Sequence, residues 1–162
     1  MIRPLLIVAL AVFLLAPISL ADTHTDDTTG FSIQFPDNWK VEEADAVIAS
    51  APDHLASILV IAMKDTKDAA EALQRLDRDD VMGNQIKTIR PDEKVLSRNI
   101  NGLPAKLFTG TANIANVKIS FVAAVVQDRG PAFVVFAFPA NNAHLKRIVT
   151  SIESIRGPGS GK

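Results

Sequence analysis

Three histidines, His24, His54 and His144, are the side chains best suited to bind a metal, because the chain has no cysteine. They fall in a polar N-terminal segment, a turn and the last predicted helix, so no two have the close spacing of a metal-ligand pair. Asp26 and Asp27 could hold a cation loosely, but ordering a flexible segment costs conformational entropy. We therefore predict no metal site and a solvated linker at "HTDDTT".

Nucleophilic catalysis could use Ser57, His54 and Asp53, which are close in sequence. A triad needs convergence in space and an oxyanion hole, and the chain contains no Gly-x-Ser-x-Gly motif. The acidic run Asp77–Asp80 could pair carboxylates for acid–base chemistry, although such runs are usually the solvated face of a helix. Asp80 alone falls near the predicted apolar stripe. We predict no catalytic residue.

The C-terminal "GPGSGK" resembles a phosphate-binding loop but does not meet the requirements of one. Arg156 stands where the first glycine is needed, and neither a Ser or Thr nor a helix follows Lys162. The sequence therefore predicts a disordered tail at residues 157–162 and no cofactor.

Trp39 is the only tryptophan, and it lies at a predicted junction between a strand and a turn. An exposed Trp39 would be a candidate for partner binding, whereas a buried one would close the core beside Phe35. The interior position is favoured, and partner binding by Trp39 is the alternative.

Residues 1–21 resemble a secretory signal peptide. Arg3 gives a cationic start, "PLLIVALAVFLLA" is an apolar run, Pro17 breaks it, and Ser19-Leu20-Ala21 is a small-x-small cleavage site. The alternative is a membrane anchor, because the uncharged stretch from Pro4 to Ala21 reaches the lower limit for spanning a bilayer. Without cysteine, lipid attachment at the cleavage point is excluded, so we expect an exported product with no stable membrane insertion after cleavage.

The charge balance limits the possible partners. The whole chain has 17 basic and 18 acidic residues, and cleavage after Ala21 removes one basic residue, Arg3. A near-neutral domain without a basic stripe is not expected to bind nucleic acid. With 48% apolar residues, the chain is typical of one globular domain, which we place at residues 30–156 after a flexible lead-in at 22–29.

Hydrophobic periodicity predicts three strands and then a helix. Alternation in "GFSIQF" predicts the first strand, and "KVEEADAVIASA" and "LASILVIAMK" predict two more. From about Thr66 the period becomes helical, with Ile86 and Ile89 on the apolar side, a possible interruption near Gly83 and an end at Pro91.

The second half predicts about four strands and a final helix. Turns are expected at "NG", "AN" and "RGP", and the apolar runs "FVAAVV" and "AFVVFAF" indicate central strands covered on both faces. Asn141 or Asn142 is expected to cap the last helix. Short turns make consecutive strands antiparallel, so we predict an α+β domain with a sheet of about six to seven strands flanked by helices.

Three segments carry a family likeness. "GFSIQFPDNWK" resembles the opening of PsbP-like and DcrB-like domains, "INGLPAKLFTG" is similar to their mid-domain turn and strand, and "AFVVFAFPANNAHLKRIVTSIESI" to their final strand and helix. The resemblance implies an antiparallel sheet with helices on both sides. Members include the extrinsic subunit of the photosynthetic oxygen-evolving complex, a nuclear-import factor that binds the GTPase Ran, and bacterial envelope proteins. The resemblance thus implies binding or assistance rather than a reaction.

These observations predict a non-catalytic secreted or periplasmic protein that binds or assists an envelope protein partner. One alternative is a carrier of a lipid or small apolar ligand between sheet and helix, suggested by the strongly apolar final strands. The other is a hydrolase with an unrecognised site that involves Asp80 and His54.

Overall fold

The computed structural model of the chain describes residues 22–78, 86–127 and 130–159. Ten strands and two helices lie in these ranges: β1 (Thr23–Thr25), β2 (Ser32–Gln34), β3 (Lys40–Glu43), β4 (Val47–Ser50), β5 (Ser57–Met63), α1 (Ala69–Arg78), β6 (Ile86–Pro91), β7 (Leu96–Ile100), β8 (Leu103–Ile114), β9 (Val117–Val126), β10 (Ala132–Phe138) and α2 (Asn142–Glu153). Neither helix of these ranges has the length and hydropathy that a membrane span requires.

Eight of the strands form one antiparallel sheet in the order β3-β4-β5-β10-β9-β8-β6. The long strand β8 has two partners on its outer side, since β7 pairs with its first half and β6 with its second half. A separate two-stranded sheet joins β1 and β2. The predicted α+β class with an antiparallel sheet is confirmed, and the sheet is slightly larger than expected.

The central strands β9 and β10 are buried on both faces, as their continuous apolar runs predicted. Successive residues of a strand point to opposite faces. Phe133 and Val135 accordingly join the core on one side, and Val134 and Phe136 the core on the other.

Two apolar cores therefore lie on the two faces of the sheet. The core under α2 and β2, which we call the α2 face, includes Phe31, Ile33, Phe35, Trp39, Ile58, Phe133, Ile148, Ile152 and Ile155. The core under α1, which we call the α1 face, includes Leu59, Leu73, Leu76, Ile86, Phe108, Phe121, Val134 and Phe136. The result is a helix–sheet–helix arrangement.

The predicted long helix from Thr66 to Pro91 is wrong in its second part. The helix α1 ends at Arg78 within the described residues, and Ile86–Pro91 is the edge strand β6. The register of β6 against β8 shifts between Lys87 and Arg90, and Thr88 has a φ of 56°. This bulge hides the alternation of a strand, and it leaves Ile86 and Ile89 three residues apart, as on a helix. Gly83, Asp79 and Asp80 lie outside the described residues.

The predicted single strand "KVEEADAVIASA" is a hairpin of β3 and β4. Glu43 pairs with Val47, and the backbone N–H of Ala44 donates to the Ala46 carbonyl at 3.1 Å. The turn contains neither Gly nor Pro, so the usual signal of a hairpin is missing from the sequence.

The interpretation of residues 22–29 as a flexible lead-in did not include β1. Thr23–Thr25 pairs with β2, and the Asp26 carboxylate accepts hydrogen bonds from the Thr29 N–H (2.7 Å) and hydroxyl (2.6 Å). The N-terminal segment is therefore paired with β2 through β1 and belongs to the folded structure. The predicted signal peptide at residues 1–21 lies outside the described residues and stays a prediction.

Candidate functional site

The structure does not join Asp53, His54 and Ser57 as a triad. The Asp53 carboxylate lies 2.9 Å from the Nε2 of His144 and accepts the backbone N–H of Leu55 at 3.0 Å. His54 is exposed and has a φ of 59°, which makes the turn between β4 and β5. The histidine that meets Asp53 is thus the one on the last helix.

His144 is held at the first turn of α2. It is only 8% exposed, and its backbone N–H donates to the side chain of Asn141, the N-cap, at 2.9 Å. Its ring meets Trp39 edge-on with the centroids 6.2 Å apart. The Nδ1 atom is buried and makes no hydrogen bond within the described chain. With Nε2 donating to Asp53, the imidazole ties the β4–β5 turn to the helix.

The contact also acts on Asp53. The hydrogen bond from the Leu55 N–H is the largest cause that holds the pKa of the Asp53 carboxyl below its ordinary value of 3.8. Desolvation opposes this shift, and the attraction of His144 adds a smaller lowering effect. Asp53 is therefore stabilised as an anion, which suits a structural anchor rather than a proton donor.

Trp39 lies in the interior, the favoured of its two predicted positions. It is 4% exposed and packs with the α2 face. A side chain buried to this extent offers almost no surface to a partner, so Trp39 is not the exposed binding anchor that the alternative required.

The acidic side chains near the N-terminus line a groove of about 240 Å³ but do not build a metal site. His24 Nδ1 lies 3.2 Å from a carboxylate oxygen of Glu43, and Asp26 is already bonded to Thr29. In the described part of the chain, no group of three His, Asp or Glu side chains could hold a metal ion.

A second groove of about 420 Å³ lies beside the start of α1 and contains Lys67, Arg98 and Lys106. The helix start is already capped, because Asp68 accepts the N–H of Glu71 at 2.9 Å and the Glu71 carboxylate accepts the N–H of Lys67 at 2.8 Å. These backbone donors are therefore not available to an anion.

A partly apolar groove runs along α2 and has a volume of about 500 Å³. It lies between this helix and the end of β2 with the turn that follows. Its lining residues are Gln34, Phe35, Pro36, Asp37, Ala143, Lys146, Arg147, Thr150, Ser151 and Ser154; we call this surface the α2 groove.

Most hydroxyl groups of the α2 groove already have partners in the chain. Ser154 accepts the backbone N–H of Gln34 at 2.8 Å and donates to the Ser151 carbonyl at 2.6 Å. Thr150 donates to the carbonyl of Lys146 at 3.0 Å. These bonds fix the wall of the groove, so its shape is largely formed without a ligand.

Asn101 binds the C-terminal end of α2. Its side-chain amide donates to the carbonyls of Glu153 (2.9 Å) and Ile155 (2.8 Å). The sequence indicated Asn101 only as a turn residue, and the contact with a helix more than fifty positions away has no local signal. With His144 and Ser154, it positions the helix that forms the groove.

The space between sheet and helices is filled by side chains. Phe133, Ile148 and Ile155 on the α2 face are fully buried, as are Phe136 and Val134 on the α1 face. An enclosed carrier site between these layers would require them to move apart, so the α2 groove is a feature of the surface.

Comparisons with known proteins confirm the expected fold. No family model matches the chain, and no curated protein matches it by sequence. The solution structure of cyanobacterial PsbP (CyanoP) from Synechocystis sp. PCC 6803 is similar with a TM-score of 0.60 and 13% identity, over 86% of this chain and 94% of that one. A crystal structure from Bacteroides thetaiotaomicron is similar with a TM-score of 0.58 and 12% identity, over 88% of this chain and 50% of that one.

Proposed function

From the PsbP-like fold that the chain shares with these structures, we propose a non-catalytic exported protein that binds or assists an envelope protein partner through the α2 groove. The observation that carries the proposal is the groove itself. It is open, partly apolar and walled by a helix that is anchored at both ends.

The anchoring matters because a preformed surface loses little entropy when a partner binds. Asn141 caps the start of α2, and Asn101 bonds the carbonyls at its end. The volume of about 500 Å³ is sufficient for a few side chains of a partner.

The chemistry of the described side chains supports a role without catalysis. The pair of His144 with Asp53 is packed against Trp39 and connects a turn to a helix. Such a pair stabilises the fold around the groove.

Export is supported by the first residues of the sequence. A cationic start, an apolar run and the small residues Ser19 and Ala21 match the requirements of a signal peptide. The partner would then be a protein of the envelope or beyond it.

Site-specific photo-crosslinking in cells that produce the protein tests the proposal. A photoreactive residue replaces Thr150, in the groove, and in a separate strain it replaces Glu93, on an exposed connection between β6 and β7. We expect one recurrent envelope protein at Thr150 only, and saturable binding when the two purified proteins are mixed. The same set of products at both positions, or none at Thr150, would contradict the proposal.

A further inference from the structure

We infer that the α2 groove accepts a protein segment in which apolar side chains alternate with Asp or Glu, and that Lys146 and Arg147 select for the acidic residues. The inference rests on the proposed function and names the chemistry of the partner at that same surface.

The charges of the groove favour an acidic occupant. Lys146 and Arg147 are neighbours on α2, both are exposed, and both line the groove. Asp37 is the only carboxylate among the lining residues, which leaves a net positive charge. Within the described chain, neither Lys146 nor Arg147 has an acidic side chain as its partner.

Arg147 is placed so that it can still bind a ligand. One of its terminal nitrogens lies 3.5 Å from the backbone carbonyl of Asp37, across the groove. A guanidinium has five N–H donors, so the remaining donors can reach a carboxylate in a bidentate arrangement.

The apolar part of the groove would contact the apolar side chains of the bound segment. Pro36 and Ala143 present apolar surface between the polar lining residues. From Ala143 to Ser154 a helix rises about 16 Å, which matches about five residues of an extended strand. A short segment with apolar side chains on one side and acidic ones beside Lys146 would fill this length.

A protein segment fits the groove better than a free phosphate or a lipid headgroup. Phosphate sites use converging backbone N–H groups at a helix start, but here the His144 N–H is taken by Asn141. The two cationic side chains, Lys146 and Arg147, lie on the second turn of α2, at the side of an apolar groove.

Three synthetic peptides of about ten residues test the selectivity. The first alternates Leu and Asp, the second replaces Asp by Lys, and the third replaces Leu by Ser. The chain is expressed from its full coding sequence, and binding is measured by calorimetry and by the NMR shifts of the Ala143, Lys146 and Thr150 amides. We expect the Leu/Asp peptide to shift these amides and to bind at least about ten-fold more tightly than the other two.

Charge reversal provides the matched variants. Lys146→Glu with Arg147→Glu should weaken the Leu/Asp peptide by at least about ten-fold and favour the Lys peptide. Lys94→Glu with Lys118→Glu changes the net charge equally at exposed positions that do not line the groove, and should change binding by less than about two-fold. Circular dichroism verifies that both double variants are folded.

Several results would overturn the inference. These are equal binding of the Asp and Lys peptides, no amide shift with any peptide, equal loss in both double variants, or phosphatidylglycerol vesicles that bind through Lys146 and Arg147 where the peptides do not. A crosslinked partner that binds the Lys146/Arg147 variant normally would also overturn it and would leave the proposed function intact. Peptide binding without a partner at Thr150 would contradict the proposed function alone.

Discussion

The two helices are held on their faces of the sheet by different kinds of contact. Three side chains of the α1 region make contacts that are close in sequence: Asp68 and Glu71 cap the helix start three and four residues apart, and Asp77 accepts the Thr88 N–H eleven residues on. At α2, the Glu153 carbonyl accepts the side-chain amide of Asn101, 52 positions away, and the hydroxyl of the C-cap Ser154 accepts the Gln34 N–H, 120 positions away.

This difference indicates where in the molecule a binding surface can form. Local contacts join a helix only to the residues next to it in sequence. Its place on the sheet then depends on apolar packing. A helix fixed by distant contacts brings separate parts of the chain to one surface, and the α2 groove is formed by such parts.

The largest effect should come from breaking the packing of the α1 face at Gly110. A Cβ there would collide with the carbonyl oxygen of Arg90 and would lie 2.7 Å from the Pro91 Cα and 2.9 Å from a ring carbon of Phe121. We expect Gly110→Ala to lower the free energy of unfolding by about 3 kcal/mol, measured by urea denaturation.

Gly157→Ala is the matched control for this substitution. Its Cβ would approach only the flexible end of Leu103, at 3.1 Å, so the cost should stay below about 1 kcal/mol. Equal costs of the two substitutions would show that backbone crowding at Gly110 is not the cause.

The distant anchoring of α2 is broken by Asn101→Gly. Glycine tolerates the φ of 50° at this position, so the substitution removes mainly the two hydrogen bonds to the Glu153 and Ile155 carbonyls. We expect a loss of about 2 kcal/mol in the free energy of unfolding. Asn116→Gly is the control, because Asn116 has a φ of 67° on an exposed turn; it should change stability by less than about 0.5 kcal/mol. Similar losses of stability in the two variants would show that the hydrogen bonds from Asn101 to the end of α2 are not the cause.

Removing the local caps compares the two helices directly. Asn141→Ala at α2 and Asp68→Ala at α1 should each cost about 1 kcal/mol, because each removes one side-chain acceptor from a helix start. Thermal and urea unfolding of both variants measure this. If Asn141→Ala cost more than Asn101→Gly, local capping would outweigh distant anchoring in α2.

The smallest effect concerns the charge of Asp53. Because the folded-state pKa lies below 3.8, the carboxylate stabilises the fold above that value, and the contribution is lost as the pH falls through the folded pKa. Asp53→Asn keeps an acceptor for the Leu55 N–H and removes the charge. Urea unfolding should show a deficit of the variant at neutral pH, and this deficit should disappear as the pH falls through the folded-state pKa of Asp53. A deficit independent of pH would refute the role of the charge.

Much of the fold could be predicted because its signals are local. The apolar runs of β9 and β10, the turn at Asn101-Gly102 and the cap at Asn141 are each contained within a few residues, and all are present. Strand β6 was missed because its bulge removes the period of two, and the β3–β4 hairpin because its turn lacks Gly and Pro.

The site could be predicted far less. The meeting of His144 with Asp53 depends on how α2 lies over the β4–β5 turn, and the α2 groove depends on Gln34 meeting Ser154. Contacts at such separations leave no periodicity or motif in a single sequence. Trp39 was the exception, since its place after Phe35 at the end of a strand favoured the interior.

The position of β10 in the sheet has a consequence for biosynthesis. This strand, the last in the described part of the chain, lies between β5 and β9 and pairs with both. A ribosome delivers β3-β4-β5 and β6 to β9 first, as two ribbons that share no ladder. Only when Ala132–Phe138 has emerged can the two become one sheet, so a nascent chain truncated before this strand would expose both of their inner edges to aggregation.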